Sequence, residues 1–558
     1  MARPRNSVKR SEPSNTLGMS KARPIAGSAG WAMFAARSGP SWKWRQRKVK
    51  IEKSMQSVYI AGTGITKFGK DPRPLAAILS EAAEIALADA RIREIDALYV
   101  GAMNPEEFTG DANVASQLAD ALGLTGVPAT RIETASSAGA AALMAAFQAV
   151  ASGYYRKVLV LAGEKMTHLS TSATTRILAE VLDKRERLCG ATMPALAAMI
   201  TEKYRQKFRL SQSRLENMLC GVALKNHRNG AKNPLAQFQH VITRRDYFAS
   251  KFVATPLRLY DCAPITDGAA ALVLSRDPAG VRLSGIGQGT GPVSLQDREV
   301  FTSFPATQIA ARRAYEMAGT TPEGIDFAEI HDAFTPFEII TSEDLGFFPP
   351  GKGGHAVLSG KTAIDGALPI NPSGGLKARG HPVGASGLAQ VVEVAKILKD
   401  ETPSKREFNR GLTQSTGGLG TNNFVTILER AGARVVQNLW TSPPTLAAPV
   451  TKRTPLQFGD VIEGTIETFT ILQVTPDGFL PPLALALIRA RHGALLMAQG
   501  EDDTQLKIGR EVFVRRMDGV FLFTVKSQLQ KVQEAFTRLW RGKPSVNPTK
   551  DSRMGESR

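Results

Sequence analysis

Two histidines stand in sequence settings that suit acid–base chemistry. His381 lies between Gly380 and Pro382, inside a glycine-rich stretch over 371–387 that leads into an apolar helix. His331 follows a predicted strand end, where α/β proteins commonly place functional groups. An imidazole can move protons near neutral pH, and it can donate a hydrogen bond to a developing oxyanion. Either residue could instead be a satisfied structural histidine, but the glycine-rich setting favours a functional role for His381.

A third candidate is Ser136, in the segment 133–142, where a predicted strand gives way to a helix of small residues. A nucleophile at this place would feel the helix N-terminus, which stabilises negative charge. Simple capping of the helix by a serine is the alternative interpretation.

The elements that must position these residues alternate along the chain. From residue 58, short apolar runs alternate with longer amphipathic ones, which predicts sheets covered by helices on both faces. Five further short segments from 464 to 525 are bounded by Gly, Pro or Asp and predict a small all-β barrel, with the OB-fold as the natural candidate.

The predicted organisation follows from these patterns. It comprises a disordered basic tail over 1–54, an α/β half over 55–290 with a long inserted loop region over 168–263, a second α/β half over 291–430, a proline-rich linker over 431–455, an OB-like barrel over 456–530 and a disordered tail over 531–558. Residues 1–54 could also be a transit-like tail, or could precede the true start, because Met55 opens the first predicted strand.

Charge and cysteine content narrow the function classes. The net charge is +19, but residues 1–54 hold 13 basic and two acidic residues, so we do not expect nucleic-acid binding by the body of the chain. The three cysteines are far apart, which argues against a disulfide scaffold or a zinc site and indicates a reducing, cytoplasmic location. No apolar run reaches the roughly 20 residues of a membrane span.

The three chemistry-bearing segments together resemble the thiolase superfamily, closest to the branch of sterol-carrier-protein-type thiolases. The stretch 371–387 resembles the catalytic histidine motif, 331–334 resembles the HDCF motif, and 133–142 resembles the nucleophile loop. The resemblance runs from about Met55 to Arg430. Residues 464–525 resemble the DUF35-type OB-fold domain, without the cysteine zinc ribbon that usually precedes it.

The resemblance implies reactive cysteines that this chain lacks. The acyl-carrying cysteine should stand at Ser136, and the second at Ala333 or, in an alternative late position, at Gln414. A serine hydroxyl ionises far less readily than a thiol, and it would need a base and an orienting carboxylate that the sequence does not identify. Thiolysis through an acyl-enzyme is therefore not expected.

The resulting hypothesis is an enzyme that makes or breaks a C–C bond next to the thioester of a bulky acyl-CoA. His381 would move the proton, His331 would hold the oxyanion, and Ser136 would line the pocket. The expected substrate- and CoA-binding residues are Gly374, Gly375, Gly380, Gly384 and Ser386. No metal and no tightly bound cofactor are expected, because coenzyme A enters as part of the substrate, and family members suggest a homodimer or a hetero-complex of thiolase-like subunits.

Three alternatives remain open on the sequence. One is an acyltransferase that uses Ser136 as its nucleophile. Another is a non-catalytic acyl-CoA-binding or lipid-transfer subunit. The third is a nucleic-acid-associated OB-fold protein.

Overall fold

The computed structural model describes residues 55–401, 406–432, 461–500, 506–517 and 520–526. The predicted basic tail over 1–54, the predicted linker from residue 433 onward and the predicted C-terminal tail over 531–558 lie outside the described residues.

The helices and strands of the described residues alternate through most of the chain. The α-helices are α1 (Leu75–Ala90), α2 (Pro105–Thr109), α3 (Val114–Ala121), α4 (Ala138–Ala151), α5 (Thr171–Ala179), α6 (Lys184–Leu188), α7 (Met193–Lys207), α8 (Gln212–Gly230), α9 (Arg244–Ala249), α10 (Pro305–Ala318), α11 (Thr335–Asp344), α12 (Gly353–Leu358), α13 (Gly375–Arg379) and α14 (Ser386–Leu398). The strands are β1 (Val58–Ile65), β2 (Ala97–Gly101), β3 (Ala129–Ile132), β4 (Lys157–Glu164), β5 (Phe252–Ala254), β6 (Leu257–Arg258), β7 (Gly268–Ser275), β8 (Val281–Thr290), β9 (Phe327–Ile330), β10 (Arg410–Gly417), β11 (Asn422–Arg430), β12 (Val461–Leu472), β13 (Leu483–Ala490), β14 (Leu495–Gly500), β15 (Glu511–Met517) and β16 (Val520–Val525).

The body of the protein is built on a nine-stranded mixed sheet in the order β3-β2-β4-β7-β1-β8-β11-β10-β9. Strand β1 pairs with both β7 and β8 and so joins the two halves of the sheet. Helices α4 and α14 pack on one face of the first half, while α1 and α3 pack on the other. This double cover explains why the central residues of β4 and β7 are apolar on both faces, and it confirms the predicted α/β fold class.

Most of the segment over 168–263, which the sequence predicted as an inserted loop region, is helical. It contains α5 to α9 and only the short strands β5 and β6. Local caps stabilise these helices: Thr192 accepts a hydrogen bond from the Ala195 amide, and Ser211 accepts one from the Arg214 amide. None of the helices in the described residues combines the length and apolar character needed to cross a bilayer.

The C-terminal strands close into a small five-stranded barrel, which confirms the predicted all-β domain. Its ring order is β12-β13-β14-β16-β15, with β12 pairing on to β13, and β14 and β16 run parallel. This is the strand order of an OB-fold. The side chains of β13 alternate: Ala486 and Ile488 point into the barrel core, whereas Leu485 and Leu487 point outward.

The outward side of the barrel is docked on the inserted segment. Leu487 and Met497 are buried in the same apolar cluster as α7 and α8. The hydroxyl of Thr468 donates to the Met199 carbonyl at 3.1 Å, and β12 pairs with β5 through Leu472. In OB-folds the second and third strands usually carry the ligand face. Here the chain's own helices cover the corresponding strands, β13 and β14.

Candidate active site

The two predicted histidines meet at one place in the fold. His331 follows directly after β9, and His381 follows the short helix α13 by one residue. Their ring centroids lie 5.2 Å apart, and the ring planes are nearly perpendicular at 87°. The fold therefore presents two imidazoles side by side, although 50 residues separate them along the chain.

His331 is held by its backbone and leaves its ring free. Its backbone amide donates to Oε1 of Gln414 at 3.1 Å. The side chain is buried, and Nδ1 has no hydrogen-bond partner among the described residues. Burial, followed by the positive field of neighbouring His381 and Arg379, lowers the pKa of His331 well below its ordinary value. The imidazole is thus neutral and has one N–H to donate.

His381 has a defined tautomer. Its Nδ1 lies 2.7 Å from Oγ of Ser386, and that hydroxyl donates its single proton to the Pro382 carbonyl at 3.0 Å. The serine oxygen must therefore accept, so Nδ1 carries the proton and Nε2 keeps its lone pair. Burial, followed by Arg379, lowers the pKa of His381 to about 3, which keeps this ring neutral as well.

Ser136 does not face a base. It is buried two residues before α4, and its hydroxyl donates to the Thr416 carbonyl at 3.1 Å. The helix-capping alternative does not apply to it either, because Ser137 holds the N-cap position and makes no side-chain cap bond. The structure therefore places Ser136 beside strand β10, with its proton committed to the backbone.

The glycines of the histidine stretch allow tight turns and close contacts. Gly374, Gly375 and Gly380 have positive φ angles of 105°, 60° and 118°. A Cβ atom on Gly384 would lie 2.6 Å from a carboxyl oxygen of Glu164, so a side chain there would displace that contact. These contacts shape the turn that presents His381. Ser386 is buried and contacts the histidine directly.

Asp332 ties the two histidine turns together. Its Oδ1 accepts from the Leu376 amide at 2.6 Å, and its Oδ2 accepts from Nδ2 of Asn226 at 2.6 Å and from the Lys377 amide at 3.3 Å. Asp332 directly follows His331, and its carboxyl binds two amides of helix α13, which precedes His381. Burial, followed by the nearby Glu338, raises the pKa of Asp332 to about 7.

Sequence reasoning missed several residues of this framework. Asn226 also donates to Glu338, and Lys225 pairs with that carboxylate at 3.0 Å. Arg379 is fully buried, 3.9 Å from Glu329. The sequence identifies the position of Gln414 by resemblance, but its contacts come from the fold. In the ranges that the structure describes, no three His, Cys, Asp or Glu side chains converge in a way that could hold a metal ion.

Comparisons with known proteins identify the family. Residues 58–277 match the model of the thiolase N-terminal domain, and residues 287–430 match that of the thiolase C-terminal domain-like family. An acetyl-CoA acetyltransferase of Methanothermobacter thermautotrophicus is 39% identical over 391 residues, which are 67% of this chain and 100% of that protein. Benzoylsuccinyl-CoA thiolase subunit BbsB of Thauera aromatica is 31% identical, over 64% of this chain and 91% of that protein.

Solved structures extend the likeness in fold. The Ltp2-ChsH2(DUF35) aldolase superposes with a TM-score of 0.58 at 23% identity, over 69% of this chain and 99% of that one. A monomeric SCP2-thiolase-like protein from Mycobacterium smegmatis gives a TM-score of 0.62 at 16% identity, over 84% of this chain and 99% of that one. With both halves matched by the family models and the archaeal relative covered along its full length, the chain belongs to the thiolase family.

Proposed function

We propose that this protein makes or breaks a C–C bond next to a CoA thioester by a route that uses two neutral imidazoles and no cysteine. The observation that carries the proposal is the pairing of His331 and His381, with ring centroids 5.2 Å apart. The acetyl-CoA acetyltransferase and the benzoylsuccinyl-CoA thiolase subunit described above are both named for CoA thioesters, which supports an acyl-CoA substrate.

His331 is the proposed oxyanion donor. A neutral imidazole donates one N–H and can accept at the other nitrogen. When the thioester becomes an enolate, negative charge gathers on its oxygen, and a pre-positioned donor in a buried site stabilises that charge strongly. The hydrogen bond from the His331 backbone amide to Gln414 positions this residue and uses neither ring nitrogen.

His381 is the proposed proton carrier, because its Nε2 has the lone pair. In the cleavage direction, Nε2 takes the proton of the β-hydroxyl group of a β-hydroxyacyl-CoA. The Cα–Cβ bond then breaks, Cβ–O becomes a carbonyl, and the electron pair forms the enolate of the shorter acyl-CoA. The imidazolium returns the same proton to Cα, so the products are an aldehyde or ketone and an acyl-CoA. A β-oxoacyl-CoA would need an added nucleophile such as water.

The low pKa of His381 is compatible with this role. A histidine with a pKa of about 3 is a weak base. Negative charge that develops on the neighbouring enolate favours the protonated ring and raises this pKa during the reaction. The same low pKa keeps the base unprotonated, and so ready to act, throughout the physiological range.

The acyl-enzyme alternative has less support. Ser136 donates its proton to the Thr416 carbonyl, and neither histidine hydrogen-bonds to it. A serine nucleophile needs a base within hydrogen-bond reach of its proton. A nucleic-acid role is disfavoured too, since Leu487 and Met497, on the outer side of β13 and β14, are buried in an apolar cluster with the inserted segment.

The test is a screen of β-hydroxyacyl-CoA substrates, with the shorter acyl-CoA and the carbonyl product measured by mass spectrometry. We expect cleavage by the wild-type protein and by Ser136→Ala, and a loss of roughly 100- to 10,000-fold in His381→Ala. An acyl adduct in the intact mass that disappears in Ser136→Ala would instead establish the acyltransferase. Tight acyl-CoA binding without turnover, unchanged in His381→Ala, would establish a binding or lipid-transfer subunit.

The expected assembly, a homodimer or a hetero-complex of thiolase-like subunits, is part of the proposal. Light scattering of the purified full-length chain gives its mass in solution. A mass of one chain, together with full activity, would contradict it.

A further inference from the structure

The position that corresponds to the late cysteine of the family holds Gln414, whose side chain is fully buried in β10. On the neighbouring strands, Gln414 lies beside Ile330 of β9 and Val425 of β11. Ile330 is the residue immediately before His331, so Gln414 stands directly behind the proposed oxyanion donor.

Every polar group of the Gln414 side chain has a partner. Oε1 accepts from the His331 amide at 3.1 Å. Nε2 donates to Oγ1 of Thr416 at 2.7 Å and to Oδ1 of Asn423 at 3.1 Å. Thr416 also accepts the hydroxyl proton of Ser136 at its carbonyl. One amide thus touches the turn of His331 and, through Thr416, the loop of Ser136.

The orientation of this amide follows from hydrogen-bond chemistry. The His331 amide can only donate, so the oxygen of Gln414 must face it. The hydroxyl of Thr416 donates its proton to Oδ1 of Asn423, so its oxygen can accept an amide proton of Gln414, and Oδ1 of Asn423 can only accept. An isosteric side chain without N–H donors cannot satisfy both sides.

We propose that Gln414 is a positioning residue that holds the main chain of His331 and the loop of Ser136 in register for catalysis. This role rests on the proposed function of the histidine pair. The resemblance places a reacting thiol at this position in other family members, whereas here the position holds a side chain that positions the main chain of His331. Gln414→Cys is accordingly expected to lower activity and not to restore thiolysis, because a thiol cannot replace the two amide donors.

The decisive variant is Gln414→Glu. Its carboxylate keeps an acceptor for the His331 amide but opposes the acceptor oxygens of Thr416 and Asn423. Burial raises the pKa of such a carboxyl, and its protonated form regains one O–H donor. We therefore expect kcat at pH 8 to fall by roughly 10- to 100-fold, the effect of one lost buried hydrogen-bond partner. We expect kcat to recover as the pH is lowered toward 6, with KM little changed.

The matched control is Gln296→Glu, which buries a carboxyl at the barrel interface, where Gln296 accepts from the Met497 amide. It should leave the pH profile of kcat flat. A second readout needs no turnover: the ring Cε1–H resonance of His331, assigned by its loss in His331→Gln, should shift in Gln414→Glu and in the uncharged Gln414→Met, but not in the control.

The outcomes separate the two proposals. An unshifted His331 resonance in both Gln414 variants, or a kcat profile of Gln414→Glu that matches wild type, would overturn the role of Gln414. A wild-type protein that cleaves no substrate would contradict the proposed function, while the resonance test would still report whether Gln414 positions His331.

Discussion

The hydroxyl of Ser386 accepts a hydrogen bond from Nδ1 of His381 across 2.7 Å. Because the same hydroxyl gives its own proton to Pro382, the bond fixes which nitrogen of His381 holds the proton. Ser386 opens helix α14, whose buried face packs against the central sheet. The tautomer of the proposed base is therefore set by a rigid element, and it does not depend on a mobile loop.

Replacement of Ser386 should lower kcat, because it changes which ring nitrogen of His381 carries the proton. In Ser386→Ala, Nδ1–H loses its acceptor, and the alternative tautomer with Nε2–H becomes accessible. We expect kcat to fall about 10-fold, in line with the net worth of one buried hydrogen bond, with a smaller change in KM. The ¹⁵N resonances of the ring report the tautomer directly, and Ser386→Thr, which keeps the hydroxyl, should retain both activity and spectrum.

The pH profile should lack the acid limb of an ordinary histidine. The pKa of His381 is lowered to about 3, so this ring stays neutral from pH 8 down to pH 5, and burial lowers the pKa of His331 as well. We expect kcat/KM to be flat over that range. A fall in kcat/KM centred near pH 6.5 that disappears in His381→Gln would show that the ring titrates normally and would contradict the structure.

The low pKa of His381 should make the free energy of unfolding depend on pH, although kcat/KM does not. The folded pKa of His381 lies below its ordinary value of 6.5, so the unfolded chain binds a proton that the folded chain does not. This stability is present above pH 6.5 and is lost as the pH falls toward 3. The contribution of His381 is the difference in unfolding free energy between the wild type and His381→Gln, and in denaturant titrations this difference should shrink from pH 7 to pH 5.

Asp332 should act on stability in the reverse sense. Its folded pKa of about 7 lies above its ordinary 3.8, so its contribution declines as the pH rises from about 4 through 7. Asn226→Ala removes the donor shared by Asp332 and Glu338 and is expected to cost about 1–3 kcal/mol at pH 8. The loss should be smaller at pH 5.5. An equal loss at both values would contradict this assignment.

The docked barrel predicts two different responses to mutation. Leu487→Ala opens the contact with α7 and should lower the free energy of unfolding by about 2–5 kcal/mol, with faster amide exchange in α7. Its counterpart on the inner face, Ile488→Ala, should raise exchange within the barrel instead.

Glu467→Gln breaks the 2.6 Å ion pair with Lys203, which is partly exposed, and should lower the free energy of unfolding by about 1 kcal/mol or less.

Much of the architecture could be predicted because it is local. The alternation of strands and helices predicted from residue 58 is found through most of the body, and the five short segments predicted between 464 and 525 are found as β12 to β16. The sequence of β13 also contains a signal for the docking of the barrel. The run Leu483–Ile488 is apolar at every position, which is typical of a strand buried on both faces.

The framework of the site could not be predicted in the same way. Gln414 reaches His331 over 83 positions of sequence, and Asn226 reaches Asp332 over 106. Such contacts depend on which strand ends the sheet brings together, and a single sequence contains no pattern for them. The proximity of the two histidines was expected only from the resemblance of their motifs.

The central claim is that two neutral imidazoles stabilise a thioester enolate without sulfur, and exchange of the α-protons of an acyl-CoA measures this directly. Propionyl-CoA incubated with the full-length protein in D₂O should gain deuterium at Cα. Exchange should persist in Ser136→Ala and fall by roughly 100-fold or more in His381→Ala and His331→Ala. Exchange that survives the loss of both rings, or that is absent from the wild type while C–C cleavage proceeds, would contradict the account.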